Sequence, residues 1–261
     1  EQFKAALLRA GSVDAVDLAG LKGDRLPVIL GGFAIMSAVF KEFNLEHMVF
    51  SEGALRLGVL YDLLGRYHHH DLRDATVSAF MRRYNVDLRQ AQQVADTACA
   101  LLGQLEPEMA DPEHIDHRFL RWAAMLHEIG ISVADVGYNK QRAYIVGNAD
   151  MPGFSRKEQT ILSQLVLGHR GDVRKMSEII GNNQMMWFAV LSLRLAALFC
   201  RARLPVTLPP FTRLRLEPGN KGFSLCISQS WLDEHPLVAG ALEYESEQWQ
   251  KINMPFTVVP Q

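Results

Sequence analysis

Apolar residues recur at helical spacing through the middle of the chain. From about 67 to 203 they fall at three- and four-residue steps, which is typical of helices with one buried face. Ser155 followed by Glu158 has the form of a capping box, and Asp87 resembles another helix start. One clear apolar stripe consists of Phe119, Trp122, Ala123, Leu126 and Ile129. This region is therefore predicted to be all-helical.

Before residue 67 the pattern predicts alternating strands and helices. Val28–Leu30 and His47–Phe50 have the composition of short strands, and each is followed by glycine and a helical run. Two strands make a poor independent sheet. We therefore expect residues 1–66 to be the C-terminal remnant of a larger α/β domain.

From residue 204 onward prolines end the helical pattern. Residues 212–216 and 223–227 alternate with period two around a Pro-Gly-Asn turn, as a β-hairpin does. A helix over 238–252 and a strand over 256–259 complete a small α/β lobe. The predicted organisation is mostly α with α/β ends, in three domains: 1–66, 67–203 and 204–261.

Composition and cysteine usage narrow the class of protein. Of 261 residues 48% are apolar, which is enough for packed cores. No stretch approaches the roughly 20 uncharged apolar residues of a membrane span. Cys99, Cys200 and Cys226 have neither disulfide nor zinc spacing, so we expect a reducing, cytoplasmic environment.

Positive charge is concentrated in one segment. Residues 136–215 hold twelve Lys or Arg against four Asp or Glu, a net charge of +8, whereas residues 216–261 have a net charge of −4. Such a segment can attract a polyanion if its side chains converge, or can be a solvated helical surface if they do not.

Two glycine-containing helix starts are candidate anion sites. Gly31 and Gly32 are predicted to open a helix, where backbone N–H groups and the helix dipole favour an anion. Ser51 and Gly53 repeat this geometry, with Arg56 in the first turn able to bind phosphate through two hydrogen bonds. The alternatives are a tight turn at the glycines and a surface ion pair for Arg56.

Histidine and arginine pairs supply further candidates for phosphate binding. His169 lies on the inward face at the end of its helix, so with Arg170 it is either a core residue or a polyanion contact. Arg66 precedes His68–His70, whose consecutive side chains point in different directions and do not converge easily on one metal ion. Arg66 is a candidate phosphate contact.

Several of these segments carry a family resemblance. They are LGGFAI at residues 30–35, SEGALRLGVLY at 51–61, RWAAMLHEIG at 121–130, AYI at 143–145, NADMPGFS at 148–155, and His169-Arg170. Together they resemble the C-terminal part of the exopolyphosphatase/guanosine pentaphosphate phosphohydrolase (Ppx/GppA) family. Leu57 departs from the Glu usual in the family.

The resemblance implies a fold and an activity. Members resemble actin and sugar kinases in two N-terminal lobes, where a glutamate activates water with the help of Mg²⁺. Residues 1–66 would be the remnant of such a lobe, and 67–203 would resemble an HD-type helical domain. The C-terminal lobes would form a homodimer. The catalytic glutamate would lie outside this chain, which we expect to be inactive alone.

A metal-dependent HD phosphohydrolase is the competing enzyme hypothesis. Its site needs an early His, a His-Asp pair and a later Asp holding one or two metal ions. Here the pair is His127-Glu128, and Gln90, a poor metal ligand, stands at the first His position. No metal site or catalytic residue is therefore predicted within this chain.

Three functions follow from these observations. The preferred one is an exopolyphosphatase, in which this chain binds inorganic polyphosphate through Gly31, Gly32, Ser51, Gly53, Arg56, Arg66, His169 and Arg170. The first alternative is hydrolysis of the guanosine pentaphosphate pppGpp. The others are a stand-alone HD enzyme and a non-catalytic module that binds polyphosphate or an alarmone. We expect neither nucleic acid nor a membrane span.

Overall fold

A computed structural model describes most of the chain. The described residues are 2–49, 55, 58–59, 71–130, 138–204, 207–219 and 222–261, with 138–140 as backbone only. Their contacts divide the chain into two units, Glu1–Leu57 and Gly58–Gln261.

The first unit is helical over its described residues. It contains α1 (Gln2–Ala10), two 3-10 turns (Val13–Ala15 and Gly23–Val28) and α2 (Ile29–Glu42). The rings of Phe3 and Phe33 lie 5.5 Å apart. Apart from Val16, the described side chains of this unit are not buried. The unit therefore has almost no core of its own within the described residues.

The two strands predicted in this unit are wrong within the described residues. Val28 ends a 3-10 turn, and Ile29 and Leu30 begin α2. Residues 47–49 are not in a strand either. A run of three apolar residues is compatible with either a strand or a helix. Within residues 2–49 the structure describes no strand with which it could pair. Local helical hydrogen bonds satisfy the backbone instead.

Between residues 71 and 204 the described part of the second unit contains seven helices, which form its main body. They are α3 (Leu72–Arg83), α4 (Leu88–Leu105), α5 (Ile115–Leu126), α6 (Tyr138–Asn148), α7 (Arg156–Gly168), α8 (Arg174–Ile180) and α9 (Gln184–Phe199). Short 3-10 turns follow α4 at Pro107–Ala110 and α9 at Cys200–Ala202. The all-helical prediction for this region is confirmed over its described residues.

Side-chain caps fix where these helices begin. Asp87 accepts hydrogen bonds from the backbone N–H groups of Arg89 and Gln90. Ser155 and Glu158 form the predicted capping box, each satisfying a backbone N–H of the other. Such caps replace the hydrogen bonds that the first turn of a helix lacks. Both predicted helix starts are confirmed.

A buried ion-pair network surrounds the start of α3. The guanidinium of Arg73, which is 4% exposed, donates to Asp71 and, at 2.8 Å, to Glu158 of the capping box. It also lies 4.7 Å above the ring of Trp122. Arg118 contacts Asp71 at 2.9 Å. The network joins the first turn of α3 to α5 and α7.

The chain ends in a small three-stranded sheet and two helices. β1 (Arg213–Leu216) pairs antiparallel with β2 (Phe223–Ile227), with Leu214 opposite Leu225. β2 then pairs in parallel with β3 (Phe256–Pro260), after α10 (Gln229–Glu234) and α11 (Pro236–Gln250). The predicted hairpin, helix and last strand are confirmed. The parallel pairing has no signature in the local sequence.

One hydrophobic core runs through the helices and the sheet of the second unit. All five residues of β2 are buried, and the ring of Phe223 lies 6.0 Å from Phe188 of α9 and 5.3 Å from Trp249 of α11. The region 204–261 therefore packs with the helical region in one unit. The predicted boundary near 66 lies outside the described residues.

Two helical segments among the described residues would be long and apolar enough to cross a membrane, judged by length and composition alone. In Gln184–Ala202, 67% of the residues in the apolar window are buried, as expected of a central helix in a globular domain. Gly23–Glu42 is not buried. Length and composition are weak evidence, because core helices pass the same test.

Candidate functional site

A basic cavity opens in the second unit where the ends of several helices meet. Its volume is about 440 Å³. The lining includes two histidines, two glutamates and five arginines, which are Arg142, Arg170, Arg194, Arg201 and Arg203. Gln90 and Tyr244 also line it. Among the described residues, the lining therefore carries more positive than negative charge.

Two histidines occupy equivalent places at the ends of α5 and α7. His127 directly follows α5, and its Nδ1 lies 2.6 Å from the carbonyl oxygen of Ala124. His169 directly follows α7, with Nδ1 2.5 Å from the carbonyl oxygen of Val166. Because a carbonyl oxygen only accepts, both rings carry the Nδ1 proton. Each Nε2 is then left as an acceptor.

Burial favours the neutral form of both histidines. The rings lie 5.6 Å apart and almost perpendicular, and both residues are 3% exposed. Burial lowers the pKa of His127, and Arg142 and Arg203 oppose its protonation while Glu128 favours it. The pKa of His169 is lowered further by burial, with His127, Arg142 and Arg194 adding electrostatic repulsion.

Arg142 of α6 joins the two histidines. One of its Nη atoms donates to the carbonyl oxygen of His127 at 2.8 Å and lies 3.1 Å from Nε2 of His169. Since that Nε2 is an acceptor, the contact is a hydrogen bond from the guanidinium to the neutral ring. Arg142 is only 5% exposed. These two hydrogen bonds help to fix its guanidinium in the cavity wall.

Arg194 of α9 and Arg203 each pair with a glutamate of the lining. Arg194 contacts Glu245 of α11 through two hydrogen bonds, one of them 2.8 Å long, and donates to the carbonyl of Gly168 at 3.0 Å. Arg203 donates to Glu128 at 2.6 Å and to Asp87 at 3.3 Å. Both glutamates are therefore engaged by arginine.

Some predicted site residues meet at this cavity and others do not. His169 and Arg170 line it. Gly31 and Gly32 lie inside α2 of the first unit, not at a strand-to-helix turn. Ser51, Gly53, Arg56, Arg66 and His68–His70 are outside the described residues. The two glycines therefore lie in the first turn of a helix but do not follow a described strand, and the phosphate-binding role of all the candidates stays a prediction.

Four arginines of the cavity were not among the predicted site residues. Arg142, Arg194, Arg201 and Arg203 belong to the segment whose net charge of +8 suggested a polyanion. Their convergence depends on the packing of α6 and α9 together with the turn after α9. The excess of positive charge in residues 136–215 is the sequence feature that indicates these arginines. Tertiary contacts determine which basic residues of that segment face the cavity.

The positions proposed for an HD metal site also meet here. Gln90 lines the cavity and donates to the carbonyl oxygen of Cys200 at 2.8 Å. Nε2 of His127 lies 4.0 Å from Glu128, which is bound to Arg203. Among the described residues, no group of three or more His, Cys, Asp or Glu side chains is arranged to hold a metal ion. The HD alternative gains no support there.

Comparison with known families decides the affiliation of the chain. A sequence model described as "Ppx/GppA phosphatase, domain III" matches residues 72–246. The chain belongs to the Ppx/GppA phosphatase family. A second model, "Ppx/GppA phosphatase family", matches residues 1–67. The resemblance stated from the motifs is confirmed.

Three curated relatives share the same name. The chain is 34% identical over 260 residues to a guanosine-5'-triphosphate,3'-diphosphate pyrophosphatase of Aeromonas hydrophila, covering 98% of the chain and 51% of the relative. The same name belongs to relatives in Aeromonas salmonicida (33%, with 98% and 51% covered) and Pseudoalteromonas translucida (34%, with 95% and 50% covered). The chain spans about half the length of these relatives.

Proposed function

We propose that the whole protein hydrolyses the terminal phosphoanhydride of guanosine 5'-triphosphate,3'-diphosphate. Water would attack the γ-phosphorus, the bond to the β-phosphate oxygen would break, and orthophosphate and the 3',5'-bis(diphosphate) would leave. Membership of a phosphatase family supports the reaction class. The name shared by the three relatives carries the choice of substrate.

The relatives move our preference away from polyphosphate. The sequence alone favoured an exopolyphosphatase and kept the guanosine pentaphosphate as the alternative. Both substrates present a terminal phosphoanhydride, so local motifs discriminate poorly between them. The shared name of the relatives supports the guanosine pentaphosphate as the substrate. Inorganic polyphosphate remains the substrate against which the proposal is tested.

We further propose that this chain supplies anion binding and no catalytic base. A general base has to approach the attacking water within hydrogen-bond distance, about 3 Å. The two carboxylates of the cavity are bound by arginine: Glu128 by Arg203, and Glu245 by Arg194. The 261-residue chain alone is therefore expected to bind phosphate compounds without turnover.

Mg²⁺ is proposed only for the whole protein. The described residues of this chain offer no group of three or more carboxylate, histidine or cysteine ligands. The cavity instead presents arginines, which repel a cation. No step of the reaction is derived through a metal ion bound to this chain.

We also propose a homodimeric, cytoplasmic enzyme. The three cysteines are free thiols, which agrees with a reducing compartment. The family match over residues 1–67 accounts for Gly23–Glu42 as part of a phosphatase domain. Light scattering after gel filtration measures the mass of the assembly, and fractionation of cells locates it. A monomer, or recovery with the membrane pellet, contradicts these two proposals.

Release of orthophosphate tests the proposed reaction. The full-length protein, with Mg²⁺, is assayed against the guanosine pentaphosphate and against polyphosphate at equal concentrations of terminal phosphate. We expect a higher kcat/KM for the nucleotide and no turnover by the 261-residue chain. A higher kcat/KM for polyphosphate restores the exopolyphosphatase hypothesis. Hydrolysis by the 261-residue chain overturns the assignment of catalysis to the rest of the protein.

A further inference from the structure

Two hydrogen-bond acceptors of the cavity have no partner among the described residues. The first is Oε1 of Gln90, a residue that is 5% exposed and belongs to the lining. Its Nε2 donates to the carbonyl oxygen of Cys200, and because a carbonyl oxygen only accepts, the orientation of the amide is fixed. A buried acceptor without a partner destabilises the fold, so its presence calls for an explanation.

The second acceptor is Nε2 of His127, which also lines the cavity. The Nδ1 of this ring donates to the carbonyl oxygen of Ala124, so Nε2 carries a lone pair. It takes part in none of the described hydrogen bonds. Oε1 of Glu128 lies 4.0 Å from it, beyond hydrogen-bond distance, and is itself an acceptor. A ligand with an N–H group would satisfy this nitrogen.

One arginine links the elements that carry the two acceptors. Arg203 donates to Glu128, the neighbour of His127, at 2.6 Å and to Asp87 at 3.3 Å. Asp87 caps the first turn of α4 and accepts the backbone N–H of Gln90 at 3.1 Å. Gln90 and His127 therefore belong to chain segments held by the two ends of one guanidinium, within the span of a single small ligand.

We propose that this cavity binds a guanine base, with Oε1 of Gln90 and Nε2 of His127 accepting hydrogen bonds from its Watson–Crick edge. Guanine carries N1–H and the N2 amino group side by side on that edge, whereas adenine carries an acceptor at N1. Proteins read unpaired bases by hydrogen bonds to this edge and by stacking on aromatic side chains. Tyr244, an aromatic member of the lining, is 55% exposed. The volume of about 440 Å³ falls within the range of small-molecule sites.

The choice of guanine among donor-bearing ligands rests on the proposed function, because the proposed substrate of the whole protein carries this base. The two acceptors themselves are independent of that proposal. A site that accepts hydrogen bonds from a ligand discriminates strongly against an analogue without the donors, since the buried acceptors are then left unpaired. Inosine lacks the N2 amino group of guanosine, and adenosine also lacks N1–H, so the two analogues probe the recognised edge.

Calorimetric titration of the 261-residue chain with guanosine, inosine and adenosine tests the site. These nucleosides carry no phosphate, so charge attraction to the arginines of the cavity does not contribute. Gln90→Leu removes the acceptor. Gln92→Leu is the matched control, because Gln92 belongs to the same helix, lies outside the described lining and donates to Asp96. Circular dichroism and thermal unfolding establish that each variant is folded.

We expect guanosine to bind the unmodified chain and the Gln92 variant equally well. Inosine should bind about tenfold more weakly, and adenosine more weakly still, because each leaves a buried acceptor without its donor. Gln90→Leu should weaken the binding of guanosine about tenfold or more. The comparison of the three nucleosides needs no variant, so it remains decisive if the Gln90 substitution unfolds the chain.

Three results would overturn the inference: no binding of guanosine up to millimolar concentration, equal binding of the three nucleosides, or a folded Gln90 variant with unchanged affinity for guanosine. The proposed function fails separately. An unchanged KM for the guanosine pentaphosphate in the full-length Gln90 variant would remove the base site and leave the proposed reaction intact. Preference of the full-length protein for polyphosphate, with guanosine bound as expected, would remove the proposed reaction and leave the site.

Discussion

Arg194 and Glu245 form a buried ion pair that joins the central helix α9 to α11 of the C-terminal lobe. Their side chains are 3% and 7% exposed, and two hydrogen bonds connect the guanidinium to the carboxylate. Trp249 donates its indole N–H to the same carboxylate at 2.7 Å. Each charge is buried only because the other is present.

Removing one partner of this pair should lower the free energy of unfolding. Glu245→Ala leaves the guanidinium of Arg194 buried without its carboxylate, and we expect the free energy of unfolding to fall by about 3–5 kcal/mol. The double variant Arg194→Met/Glu245→Leu should recover most of that loss, because an apolar pair needs no charge compensation. Urea denaturation measures both. Equal midpoints for the unmodified chain and the Glu245 variant would contradict the prediction.

The neutral histidines of the cavity should make stability depend on pH. Their pKa values are lowered in the folded state, so below about pH 6.5 the unfolded chain binds protons that the folded chain does not. Stability is therefore present above that pH and falls below it, by about 1.4 kcal/mol per pH unit for each histidine that stays neutral.

Unfolding in urea at several pH values between 7 and 5.5 measures this slope. The range lies well above the ordinary pKa of aspartate, about 3.9, so that carboxylates contribute little. His169→Gln keeps an acceptor for Arg142 and removes one titrating group, so its slope should be smaller. The same slope in both proteins would show that His169 is not responsible.

Gly222 should tolerate no side chain. Its φ is +133°, and a Cβ there would lie 2.1 Å from the carbonyl oxygen of Pro255, which accepts the N–H of Phe223. Gly222→Ala should cost more than about 1 kcal/mol, because both the conformation and the space are incompatible.

The matched control is Gly240→Ala, in the exposed face of α11 with no atom near the added methyl group. That substitution should be neutral or stabilising by about 0.5–1 kcal/mol. Thermal unfolding compares the two variants. A Gly222 variant as stable as the Gly240 variant would show that the contact with Pro255 relaxes without cost.

The three thiols should be unreactive in the folded chain. All are buried, and burial raises the pKa of Cys99 to about 12 and also raises that of Cys200. Since the thiolate is the reactive form, a disulfide reagent at pH 8 should modify none within minutes and all three in urea. Rapid modification of one thiol under native conditions would identify an opening of the core near it.

The elements that sequence predicted well are those with local signals. The hairpin of β1 and β2 follows from period-two alternation around a Pro-Gly-Asn turn, and α7 follows from the capping box at Ser155. The strand predicted at Val28–Leu30 failed because three apolar residues do not discriminate strand from helix.

The cavity could not be predicted from local sequence patterns, because its residues come together only in the folded chain. The charge excess over residues 136–215 is visible in the sequence, but Arg142 and Arg194 stand 52 positions apart and meet only through the packing of their helices. His169 was identified as an inward-facing residue. Its hydrogen bond with Arg142 depends on which ring nitrogen carries the proton, and the backbone carbonyl of Val166 decides that.

Strand β2 lies inside the core that it shares with the helices of the second unit. Its side chains are covered by α9 on one side and by α11 and β3 elsewhere, so the sheet cannot come apart while the helices keep their native packing. Residues 71–261 should lose their structure in a single cooperative step, with equal van't Hoff and calorimetric enthalpies. Separate calorimetric transitions for the sheet and the helices would show that this core is divided.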